Sequence, residues 1–151
     1  MHKNNNIKGF TLVELLVVIA IIGLLSTFAV VSLNEARLKA RDARRLADVK
    51  QMMTALEIYY SSCGRYPSAV VPGGRVAGGD PIDCPMNTNI YLGLVPSNPL
   101  PRPDGGCPDS DYIYTRDNLS SYTIEYCIGQ TVQGISGGGR HHATPAGLVD
   151  E

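Results

Sequence analysis

Hydrophobic and polar positions are distributed unevenly along these 151 residues. Residues 15–33 read LLVVIAIIGLLSTFAVVSL, with Ser26, Thr27 and Ser32 as the only polar side chains and no charge. The wider apolar stretch, residues 10–33, spans 24 residues. As a helix it is roughly 36 Å long, enough to cross a bilayer core of about 30 Å. This predicts one transmembrane helix. No second apolar run of that length follows, which excludes a polytopic membrane protein.

The period changes after residue 33. Leu46, Val49, Met53, Leu56 and Tyr60 recur at i, i+3, i+7, i+10 and i+14, one stripe of an amphipathic helix, and Met52 and Tyr59 widen it. The opposite face carries Arg37, Arg41, Arg44, Arg45 and Asp48, which read as a solvated helix face or as a contact for lipid headgroups or acidic patches of neighbouring subunits. No proline occurs in residues 10–62, so both halves can form one helix of 53 residues. It should stop at Cys63-Gly64, with Gly64 as a left-handed cap and Pro67 preventing resumption.

Residues 64–151 hold 14 of the 16 glycines and all 10 prolines. Residues 68–110 read as a long ordered loop. Strands are expected late: Tyr112-Ile113-Tyr114-Thr115 and residues 122–127 flank the turn Asp117-Asn118-Leu119-Ser120, a β-hairpin near 111–128. A third strand is expected near Ile90-Tyr91-Leu92 or Thr131-Val132-Gln133, and the tail from Gly134 as flexible or loosely docked. The fold class is therefore α+β: a long N-terminal helix, apolar then amphipathic, packed against a small antiparallel sheet with Gly/Pro-rich loops.

Net charge is −1, so no global field recruits nucleic acid. All four cysteines, Cys63, Cys84, Cys107 and Cys127, lie beyond the apolar run. An even count in a Gly/Pro-rich module reads as a disulfide framework, which places the C-terminal part in an oxidising space and the leader in the cytoplasm. Of three connectivities, Cys63–Cys84 with Cys107–Cys127 is favoured because each closes a short loop. Spacings of 21, 23 and 20 without C-x-x-C disfavour zinc.

Glu14 is the one charge inside the apolar stretch. A lone carboxylate in hydrocarbon costs a few kcal/mol or more, so it marks a function and a partner, unless it is protonated or snorkels to the interface. No base lies within a helical turn or two beyond it. Cleavage after Gly9 would expose the α-amine of Phe10, and that amine on one subunit could neutralise Glu14 on its neighbour. An ordinary secretory signal peptide fits poorly, because the apolar run is too long and no A-x-A site follows.

Residues 8–25, KGFTLVELLVVIAIIGLL, resemble the class III signal of type IV pilins and pseudopilins. In that family a basic residue and Gly precede the cut, Phe begins the mature chain and Glu is its fifth residue, matched here by Lys8, Gly9, Phe10 and Glu14. The resemblance implies removal of residues 1–9 by prepilin peptidase, N-methylation of Phe10, an assembly helix over 10–33, an amphipathic helix over 34–63 and a disulfide-stapled head over 64–151. Many members carry a proline in the distal apolar helix, where this chain reads Ala29-Val30-Val31-Ser32, so a proline-linked kink does not carry over. Residues 47–68, with Asp48, Ala55-Leu56-Glu57, Tyr60 and Gly64-Arg65-Tyr66-Pro67, also resemble the helix end of major pseudopilins of type II secretion.

The expected function is a structural subunit of a pilus-like or pseudopilus filament. Implied partners are identical subunits, the prepilin peptidase/methyltransferase, an inner-membrane assembly platform with its secretion ATPase, and membrane lipids before assembly. A membrane-anchored monomeric binding module and a minor tip pilin binding substrate or DNA are the alternatives. Major pseudopilins often bind calcium in a C-terminal loop, and Asp104, Asp109, Asp111 and Asp117 cluster near the hairpin, but the family's loop pattern is not recognisable and solvated turn acids are the simpler reading. His141-His142 reads as exposed loop. Asn118-Leu119-Ser120 fits an N-x-S sequon. No nucleophile–base–orienter set can be assembled, so no enzyme and no other cofactor is expected.

Overall fold

A computed structural model of the chain describes residues 9–102, 106–108 and 110–149. A single helix, α1 (Leu12–Cys63), runs through 52 residues without a break. It continues across residues 29–32, as a stretch without proline allows. The helix ends where Gly64 turns left-handed at φ 71°, a conformation that glycine adopts without a side-chain penalty. The chain divides into two compact units, residues 1–36 and 37–151.

In the first unit every described residue is exposed. Sixteen large apolar side chains of residues 10–33 face outward, from Phe10 at 71% exposure to Leu33 at 49%. Burial of each would contribute about 1.5–3 kcal/mol, so water is the wrong solvent for this surface by a few tens of kcal/mol.

The second unit builds its own core. Leu46, Val49, Met52, Ala55, Leu56 and Tyr59 of α1 pack with Tyr122, Ile124, Tyr126, Ile128 and Ala143 of the sheet. Leu46, Val49 and Leu56 of the expected stripe are buried, as are Met52 and Tyr59 at its margin; Ala55 joins them, whereas Met53 and Tyr60 are only half-buried. The strands are β1 (Val76–Ala77), β2 (Ile90–Leu92), β3 (Ile113–Asn118), β4 (Ser121–Ile128), β5 (Gly139–Thr144) and β6 (Gly147–Val149). The last four form an antiparallel meander in the order β3-β4-β5-β6, and β1 and β2 pair separately. Along β4 the positions of Tyr122, Ile124 and Tyr126 are buried and those between them half-exposed, the period-2 signature of a sheet with one face on a core.

Several expectations change. The hairpin turn is Leu119-Ser120 alone, with Asn118 paired to Ser121 and Asp117 bulged out of register. Ile90–Leu92 is a strand but belongs to the small β1–β2 sheet, and residues 131–133 contribute only a bridge between Val132 and Ile135. The tail from Gly134 is not loose, since β5 and β6 are two of the four strands of the main sheet. His141, expected in an exposed loop, is 1% exposed, lies opposite Tyr126 in the ladder and packs its ring 5.6 Å from that tyrosine. Histidine and glycine carry little strand propensity, so pairing with β4 and burial of His141 and Ala143 at alternate positions decide this segment.

The polar face of α1 is also partly internal. Arg45 and Asp42 are fully buried and Asp48 is 9% exposed, whereas Arg37 and Arg44 face solvent. Asp42 binds Arg45 and accepts the backbone N–H groups of Gly129 (3.1 Å) and Gln130 (2.8 Å) just after β4. Arg45 Nε donates to Asn98 Oδ1 at 2.8 Å, and Asn98 Nδ2 donates to the Ser110 carbonyl at 2.8 Å. The Tyr112 hydroxyl donates to Asp48 at 3.0 Å. These groups leave water because each finds a partner inside. Burial raises the Asp48 carboxyl above its usual range, against the opposing pull of the Tyr112 hydrogen bond and the Arg44 charge.

Candidate assembly site

Lys8 lies outside the described residues; Gly9 and Phe10 are exposed and outside the helix. Thr11 sits at the helix N-cap, and the segment Thr11-Leu12-Val13-Glu14 forms a capping box. The Thr11 amide and hydroxyl each donate to Glu14 Oε2 at 2.8 Å, and the Glu14 amide donates to Thr11 Oγ1 at 3.2 Å. Glu14 therefore has partners in its own chain, where no partner within a turn or two beyond it is visible in the charge pattern. The T-x-x-E spacing was the available signal. Both side-chain bonds fall on one oxygen of a group that accepts at two, so the carboxylate can hold Thr11 and still accept an amine.

The four cysteines form Cys63–Cys84 and Cys107–Cys127, with Cα separations of 5.2 and 5.6 Å. The first bond fixes the end of α1 to the loop between β1 and β2. The second fixes the segment before β3 to β4. A further clasp is centred on Asp83, which accepts the Ser68 amide and Arg116 Nη1, both at 2.6 Å. Burial works against its charge, but these donors outweigh it and hold the carboxyl below the usual carboxylate range.

The other acidic candidates are occupied. Asp111 accepts the amides of Asn98 and Tyr112 and faces Arg102 at 3.3 Å. Asp117 accepts the Thr123 hydroxyl at 2.9 Å. Asp104 and Asp109 lie outside the described residues. Among the described residues no group of three or more His, Cys, Asp or Glu is placed to hold a metal ion. Asn118 uses its side-chain oxygen to accept from the amide and hydroxyl of Ser120 in the exposed turn.

Among the described residues, one helix is long and apolar enough to cross a membrane; it starts with a carboxylate box beside Gly9-Phe10 and precedes a disulfide-bonded α+β head, an arrangement that fits a membrane-anchored subunit. The model of the prokaryotic N-terminal methylation motif matches residues 4–30. A fimbrial protein of Dichelobacter nodosus is 33% identical over 111 residues, covering 58% of this chain and 69% of that protein. A type IV major fimbrial protein FimA of the same organism is 39% identical over 75 residues, 48% of this chain and 46% of its own length. Type II secretion system core protein G of Pectobacterium carotovorum subsp. carotovorum is 38% identical over 61 residues, 40% of this chain and 39% of that protein. The chain thus spans less than half the length of the last two relatives. No solved structure gives a significant match. The chain belongs to the type IV pilin and pseudopilin family, a family of structural filament subunits.

Proposed function

We propose that this chain is held in the inner membrane by residues 10–33, loses residues 1–9 to prepilin peptidase, is N-methylated on Phe10, and is then drawn by an inner-membrane platform and its ATPase into a helical filament. The apolar helices pack at the filament centre and the heads face outward. The carrying observation is that residues 10–33 bury nothing of their own and hold one acid, Glu14. Lipid covers that surface before assembly, and neighbouring helices cover it afterwards. In the filament the new α-amine of Phe10 on one subunit meets Glu14 on the next, so that two charges costly in an apolar surrounding neutralise each other.

The test is the mass of the subunit in cells with and without the peptidase. The expected product lacks residues 1–9 and carries one methyl group on Phe10, and peptidase-deficient cells accumulate the full chain with no filaments. A full-length chain that still forms filaments contradicts the reading.

A further inference from the structure

Within residues 35–50 the sequence offers six bases and three acids. Folding changes that ratio at the surface, because Asp42, Arg45 and Asp48 are withdrawn into the polar network under the sheet. Arg37, Lys39, Arg44 and Lys50 remain exposed and Arg41 half-buried, and of the three acids of this segment Glu35 stays at the surface. Two of these bases, Arg41 and Arg44, line one wall of a groove of about 460 Å³. Ser97, Pro99 and Leu100 line the other, and the Leu100 side chain stands 72% exposed. The wall is fixed in place by Asn98, which is gripped by Arg45 from below and bound through its own amide to Asp111.

We infer that the Arg41/Arg44 groove binds the phosphate of an anionic phospholipid headgroup while the subunit resides in the membrane. This rests on the reading of residues 10–33 as the membrane span. Arg41 and Arg44 are the eighth and eleventh residues beyond Leu33, the last residue of that span. Guanidinium groups match a phosphodiester in charge and geometry, and the exposed Leu100 beside them suits the apolar side of an interfacial lipid. A bare phosphate has no use for that leucine. A nucleic-acid strand would call for aromatic stacking partners, and neither arginine's wall of the groove nor the facing one supplies an aromatic side chain. Lipid held here also gives assembly a release step, since a subunit entering the filament must leave its headgroup behind.

The experiment uses the full chain in nanodiscs of equal phosphatidylglycerol and phosphatidylcholine, with retained lipid identified by native mass spectrometry in the presence of inorganic phosphate. The wild type is expected to retain phosphatidylglycerol over phosphatidylcholine by about fivefold or more, the scale of one base near an anionic surface. Arg44→Gln, a change at an exposed position, should lower that preference several-fold, and Arg41→Gln with Arg44→Gln should abolish it. Leu100→Ser should weaken it, and Arg65→Gln with Arg75→Gln, which removes equal charge elsewhere, should leave it unchanged. Equal retention by wild type and the Arg44 variants overturns the proposal, as does displacement by inorganic phosphate. Loss of filaments without loss of lipid preference in those variants also overturns it, and assigns the groove to acids of a second copy. Failure of the chain to insert at all, read by flotation with vesicles in high salt, overturns the membrane reading beneath it.

Discussion

The two halves of α1 are made of the same helix and are stabilised by different molecules. Residues 12–36 place no side chain in the interior, whereas residues 42–59 supply six apolar side chains and three charged ones to a closed core. The first half finds no cover in its own chain, and under the proposed function lipid or other copies supply it. The second depends on the sheet of its own chain. Under the proposed function, the head keeps its core while the apolar helix exchanges lipid for neighbouring helices.

The strongest way to break this contrast is at Glu14. Glu14→Ala should leave membrane insertion and the thermal unfolding of the head unchanged and reduce filament yield by more than about tenfold, because an uncompensated amine left among apolar helices costs a few kcal/mol per subunit. Normal filament yield by quantitative shearing would remove the amine pairing from the account.

In the head the corresponding change is Asp42→Ala. It leaves Arg45 buried without its carboxylate and two backbone N–H groups without an acceptor, and should cost about 3–5 kcal/mol in denaturant unfolding of the detergent-solubilised chain. A matched pair of truncations sharpens the comparison further. Leu56→Ala, at a position with no exposure, should cost about 2–5 kcal/mol, and Leu16→Ala, at 55% exposure, less than about 0.5 kcal/mol in the same measurement. Equal effects would mean that the apolar half contributes to the fold of the single subunit after all.

The smallest effect is on acid sensitivity. The Asp83 carboxyl is held below its ordinary value of 3.8, so its clasp with Arg116 and Ser68 contributes fully above that pH and is lost as pH falls through the lowered value. Asp83→Asn should flatten the fall in stability of the head below about pH 4, measured as unfolding midpoint against pH. Asp48 works in the opposite sense, because its raised carboxyl favours the folded head at low pH and penalises it as pH rises through the folded value.

The span of the helix, its stop at Gly64 and the hairpin strands were legible because they rest on local rules: a run of apolar residues without proline, a glycine able to turn left-handed, and alternation of tyrosine with β-branched residues. The residues beside the Gly9-Phe10 junction were legible as a linear motif. The capping partner of Glu14 was also local, in Thr11, and lay in the T-x-x-E spacing. Arg45 and Asp48 were harder. On a helical wheel they look like a solvated face, and only the position of Asn98, 53 residues on from Arg45, and of Tyr112, 64 residues on from Asp48, turns them inward.

The sequence by itself determined that this chain has one apolar helix with a single acid near its start, a second helical half with an apolar stripe, and a cysteine-bearing head, since each depends on composition or on neighbours within a few turns. Tertiary structure alone decided that a Gly- and His-rich tail completes the sheet and that two acids of the basic segment are hidden while most of its bases are not. Strand pairing and the burial of charge depend on partners far away in sequence, and no local propensity encodes them.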